Sequence, residues 1–122
     1  MITVDYKDKR PIYEQLAANI SEMALSGELK PDEQLPSVRQ LAVAMSINPN
    51  TIARAYGELE RRGVIYSVAG KGSFINSDLS AVADEQTKKA EDKLRLFIRE
   101  AKKSGVKKER IFEIAGEEYD RG

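Results

Sequence analysis

Between Ile47 and Gly63 the sequence reads INPNTIARAYGELERRG, and several of its side chains have the chemistry to read a nucleic acid. Arginine at 54 can donate two parallel hydrogen bonds to guanine O6 and N7, and asparagine at 48 or 50 can pair with adenine N6 and N7. Threonine at 51 can bind phosphate or meet a thymine methyl group. Helical spacing puts Ile52, Ala55, Tyr56 and Leu59 on one face and Asn50, Arg54, Gly57 and Glu58 roughly opposite, with Thr51 at the flank. Each polar residue also has a plainer use. Asn48 is a good N-cap, Pro49 is preorganised for the first helical position, and Arg54 could be a solvated helix residue. Arg61 and Arg62, in the last turn, suit the helix dipole or phosphate better than bases.

Elements on either side must position that polar face. Upstream, Pro11 opens a first helix whose apolar stripe is Ile12, Leu16, Ile20 and Met23, and Gly27 stops it. After the loop LKPDEQLP, Ser37 and Gln40 fit a capping box that starts a second helix, with Val38, Leu41, Ala42 and Met45 inward. This helix ends near Met45 or Ser46, so a tight turn separates it from the third, which Gly63 terminates. Downstream, VIYSVAGKGSFI predicts a hairpin with strands around Ile65 to Val68 and Ser73 to Ile75, turned at AGKG. At the start, ITVDY suits a short strand or an extended arm. The order of these pieces is that of a winged helix-turn-helix, in which the third helix would enter the major groove.

Composition removes most competitors. The 122 residues contain no cysteine or histidine, which excludes disulfides, thiolate metal sites and imidazole or thiol catalysis. No metal, cofactor or catalytic set is expected, and the chain reads as a non-enzyme. No apolar run approaches a membrane span and no secretory leader is readable, so a cytoplasmic protein without a membrane partner is expected. Twenty basic and 20 acidic side chains cancel overall. The balance is uneven, however: Arg39, Arg54, Arg61, Arg62 and Lys71 face only Glu58 and Glu60 between residues 36 and 75. Screening limits the relevant field to about 8 Å, so a locally basic surface can neutralise phosphates on a neutral protein. GKGS resembles the end of a phosphate-binding loop, but the full signature is missing and a strand follows it.

From Asp78 the chain turns charge-rich. Ala83, Thr87, Ala90, Leu94, Phe97 and Ala101 recur at helical spacing, with Ile98 widening the stripe, until Gly105 breaks it. A last helix from about Lys107 to Tyr119 carries Ile111, Ile114 and Ala115 on one side, near Phe112. The predicted fold is mainly α with a small β-hairpin: a winged helix-turn-helix domain over 1–76, then a C-terminal helical hairpin over 77–122. Ala90, Leu94, Phe97, Ile98, Ile111 and Ile114 are the expected homodimer interface. Two-fold symmetry would set two recognition helices about 34 Å apart, one turn of DNA.

Four stretches, PIYEQLAANI, LPSVRQLA, INPNTIARAYGELERRGVI and GKGSFI, resemble the GntR family of bacterial transcription regulators. The short helical tail resembles its YtrA subfamily. The resemblance implies a homodimer on an inverted-repeat DNA operator, usually a repressor, often of genes for ABC-type transporters or envelope-stress responses. It implies DNA-binding roles for Ser37 and Arg39 at the start of the second helix and for Asn48, Asn50, Thr51 and Arg54 on the third. Gly70, Lys71 and Gly72 match the family's wing tip, which approaches the minor groove. Pro49 departs from relatives that carry arginine there, so their base specificity does not transfer. Paired tails also leave room for a small-molecule effector pocket between them, though no residue set identifies its ligand. The competing reading is a winged-helix protein-interaction module whose basic face is incidental.

Overall fold

The structure, a computed structural model, describes residues 2–121. Its elements are α1 (Ile12–Ser26), α2 (Val38–Met45), α3 (Pro49–Arg61), β1 (Ile65–Val68), β2 (Gly72–Ile75), α4 (Ser80–Lys103) and α5 (Lys108–Tyr119). The fold is mainly helical with one small antiparallel hairpin, as the sequence predicts. The first compact unit runs to Ala83 and the second from Asp84.

Local signals start and stop the helices. Ser37 accepts from the Gln40 amide at 3.0 Å while the Gln40 side chain accepts from the Ser37 amide at 2.9 Å. This capping box matters because α2 has only eight residues, too few to persist without capping and packing. Asn48 Oδ1 accepts from the Asn50 amide at 2.8 Å, and Pro49 occupies the first position of α3. The turn between α2 and α3 passes through Ser46 in the left-handed region, φ 55°.

The core of the first unit is built from the apolar faces of these helices and the hairpin. Leu16, Ile20, Ile52, Leu59, Val64 and Ile75 are fully buried. Each contributes on the order of 1.5–3 kcal/mol through removal of its side chain from water. Leu79 and Val82, beyond the hairpin, also pack on this core, so the first turn of α4 belongs to it.

Among the described residues, the N-terminal segment is an extended arm with no strand. Side chains of α1 hold it in place of ladder bonds. Asn19 Oδ1 accepts from the Thr3 amide at 2.8 Å, and buried Gln15 bonds both the amide and the carbonyl of Asp5. Ile2 and Val4 pack against the core, whereas Tyr6 is exposed.

In the second unit α4 and α5 are joined at Gly105, φ 89°. Helix α5 buries no residue, and Leu94, Leu96, Phe97, Ile98, Phe112 and Ile114 are exposed. Leu96 lies off the stripe that helical spacing picks out.

Candidate nucleic-acid interface

Helix α3 divides sharply by face. Ile52, Ala55, Tyr56 and Leu59 are buried, while Asn50 and Arg54 are exposed and Thr51 is half-buried at the flank. The buried side is locked in place by more than apolar packing. Tyr56 donates its hydroxyl to the Pro36 carbonyl at 2.6 Å, tying the entry of α2 to the middle of α3. Burial pushes the Tyr56 phenol up to about 12. Asn50, Thr51 and Arg54 line one shallow hollow with Pro11, Ile12 and Tyr13. The Arg54 guanidinium lies over the Tyr13 ring, 3.9 Å from its centroid. Near the helix end Arg61 Nε donates to Glu58 at 3.0 Å, so this arginine is engaged in an ion pair on its own helix.

The wing is built from more chain than the sequence suggests. Strands β1 and β2 pair from Ile65↔Ile75 to Val68↔Gly72. The segment before α2 then adds a third, irregular edge: Asp32 donates its amide to Ile75, Ile75 to Glu33, and Leu35 to Ser73. Tyr66 stacks on Phe74 and donates to Asp32 Oδ1 at 2.8 Å, a bond that raises the Tyr66 pKa. At the tip, Gly70 and Gly72 have φ of 74° and 118°. The Gln34 side chain donates to the Lys71 carbonyl at 2.8 Å and lies so close to Gly72 that a Cβ there would sit 2.8 Å from its nitrogen. Gly72 is therefore demanded by backbone conformation, while the close contact is with the far end of the flexible, exposed Gln34 side chain.

Ser37, Gly70, Lys71 and Gly72 share one cleft between the start of α2 and the wing tip. Arg39 is exposed in the first turn of α2, outside both hollows, and Asn48 is exposed at the N-cap of α3. The structure thus brings Asn50, Thr51 and Arg54 together on α3 and Ser37, Gly70, Lys71 and Gly72 together at the wing, and leaves Arg39 and Asn48 outside both groups. Tyr13, Asp32 and Gln34 complete these groups and carry no sequence signal: their roles depend on segments brought together only by folding. Among the described residues no cluster of acidic groups suits a metal ion, and no helix is long and apolar enough to cross a membrane.

Residues 12–75 match the family described as bacterial regulatory proteins, gntR family. The chain belongs to the GntR family. It is 37% identical to the transcriptional repressor YtrA of Bacillus subtilis over 114 residues, which spans 93% of this chain and 88% of that protein. Among solved structures, a transcriptional regulator from Oenococcus oeni superposes with a TM-score of 0.82 at 39% identity, covering 96% of this chain and 98% of that one. The DNA-binding domain of AraR, solved in complex with its operator ORE1, superposes with a TM-score of 0.52 at 29% identity, over 62% of this chain and 92% of that one. This GntR-family chain is accordingly a DNA-binding transcriptional regulator with a winged-helix fold. The family and the relatives are regulators, which agrees with the expectation that the chain is not an enzyme.

Proposed function

We propose that this GntR-family protein is a cytoplasmic, homodimeric repressor that binds an inverted-repeat operator, with transporter genes among its targets. Helix α3 enters the major groove by its N-terminal turn, where Asn50, Thr51 and Arg54 meet base edges or phosphate and Asn48 adds a contact beside its capping role. Ser37 and Arg39 hold the phosphate backbone at the start of α2. The wing tip, Gly70, Lys71 and Gly72, lies against the minor groove, the glycines allowing close backbone approach and the lysine adding charge. The winged helix-turn-helix domain over 1–76 carries DNA binding. The chain beyond it dimerises through Ala90, Leu94, Phe97, Ile98, Ile111 and Ile114, and a small-molecule effector would act through that paired tail.

The observation that carries this reading is the one-sided burial of α3. A helix whose apolar face is fully committed to the core presents Asn50 and Arg54 to solvent, and the same unit carries a wing with Lys71 exposed at its tip. Resemblance to the YtrA repressor along nearly the whole chain supports repression over activation. The test is fluorescence anisotropy on duplexes from upstream of the protein's own gene, across a salt series. Log affinity should fall linearly with log salt, by about 0.9 per phosphate neutralised. Arg54→Ala should weaken the preferred duplex about tenfold or more, in line with roughly 1–3 kcal/mol for a bidentate base contact. Binding that ignores both salt and sequence would refute the proposal.

A further inference from the structure

The Arg54 guanidinium rests on the ring of Tyr13, a residue of α1 and not of the recognition helix. At 3.9 Å from the ring centroid the contact lies well within the roughly 6 Å reach of a cation–π interaction. Its geometry is informative. A guanidinium carbon only 3.9 Å from the ring centroid is at the separation of two planar groups in face contact, and the five N–H donors of arginine lie in the guanidinium plane, so such a contact occupies none of them. Stacking therefore fixes where the group lies without using the bonds a guanine edge or a phosphate would take.

Tyr13 is itself anchored. It is half-buried, packs against the core, and its hydroxyl donates to Glu14 Oε1 at 3.2 Å. Arginine has many rotamers, and ordering a long side chain at an interface opposes binding; a side chain held before DNA arrives loses less freedom on contact. The stack also strengthens when the closing interface expels water. Thr51 and Asn50 share the hollow that Tyr13 lines, so the ring sits within the reading head.

We infer that Tyr13 is a positioning residue for Arg54, holding its guanidinium by the face so that its edge is presented to DNA. This rests on the reading of α3 as the groove-reading helix. In the complex the effect should be a fall in specific affinity of about three- to thirtyfold when the ring is removed, the range spanned by cation–π contacts from exposed to desolvated.

The experiment uses the full chain. A pool of randomised duplexes is selected against the wild-type protein, and the selected duplex and a scrambled one are titrated with wild type, Tyr13→Phe, Tyr13→Leu, Arg54→Ala and the Tyr13→Leu/Arg54→Ala double variant. Tyr13→Phe should bind the selected duplex within about twofold of wild type, since the π face is kept. Tyr13→Leu should lose specific affinity, keep its affinity for the scrambled duplex, and lose nothing further in the Arg54→Ala background. Equal losses from Tyr13→Leu with and without Arg54, or parallel losses on both duplexes with a lowered melting temperature, would make Tyr13 merely structural and overturn the inference. Failure of Tyr13→Phe to rescue would overturn it as well. If Arg54→Ala binds as wild type does, the assignment of Arg54 to the reading head fails and takes Tyr13 with it. If the wild type enriches no sequence from the pool, the proposed function itself falls, and the inference with it.

Discussion

At the scale of single residues, the wing tip separates two reasons for a glycine. Gly70 and Gly72 both have positive φ, yet nothing lies within 4 Å of a Cβ built on Gly70, whereas one on Gly72 would meet the Gln34 amide nitrogen at 2.8 Å. Gly70→Ala should therefore cost only the strain of a left-handed alanine, about 1 kcal/mol. Gly72→Ala should cost more, on the order of 2 kcal/mol, because its φ of 118° lies well outside the left-handed region that alanine can adopt and the Gln34 side chain must also turn aside. Urea denaturation of both variants, and of Gly72→Ala combined with Gln34→Ala, checks this; the double change should recover little, since the strain is in the backbone. A larger loss for Gly70→Ala would contradict the account. The same residues mark how far the sequence can be read. Arg54 is visible because its helix has a strong period and its type suits guanine, and the glycines are visible because the turn needs them. Gln34 and Tyr13 are not: a loop glutamine and a helix tyrosine next to the apolar stripe have no local pattern, and only the folded chain brings them to Lys71 and Arg54.

Helices and strands were readable in proportion to their local signals. The capping boundaries of α2 and α3 follow from Ser37, Gln40, Asn48 and Pro49, whose side chains act within a few residues of themselves. The third edge of the wing was hidden because LKPDEQLP carries two prolines and no alternation, and its amide bonds to β2 arise from long-range packing. Short α2 should depend heavily on its cap. Ser37→Ala should lower unfolding free energy by about 1 kcal/mol, read from the urea midpoint at unchanged slope. The joint between α2 and α3 can be probed with pH. Tyr56 titrates near 10 in an unfolded chain and is raised to about 12 in the native one, so the native state keeps the proton longer. Its contribution is fully present below pH 10 and is lost as pH rises toward 12. Wild-type stability should thus fall more steeply across this window than that of Tyr56→Phe. The difference between the two proteins is the quantity to read.

For the whole molecule, the question is what covers the apolar side of α4 and α5. Leu94 is 57% exposed and Phe97 62%, with Ile98 and Ile114 also accessible, and α5 buries nothing. Side chains of this size, with Leu94, Phe97 and Ile98 on one stripe of α4 beside Ala90, and with Ile114 on α5, are what a two-fold partner would bury. Glutamate at both Leu94 and Phe97 would place four like charges within such an interface, against a desolvation penalty of several kcal/mol per ion. Sedimentation equilibrium should then find the wild type as a dimer and the Leu94→Glu/Phe97→Glu protein as a monomer with unchanged helical signal. DNA binding should change in a way that separates assembly from reading. Each recognition helix keeps its contacts, so affinity for an isolated half-site should stay within about twofold. Affinity for the full inverted repeat should drop by about a hundredfold or more, since joining two half-site contacts through one assembly multiplies affinity by about 10²–10⁴. A double variant that still sediments as a dimer would place the self-association surface elsewhere. A monomer that binds the full repeat as tightly as the wild type would mean that one reading head suffices for this operator.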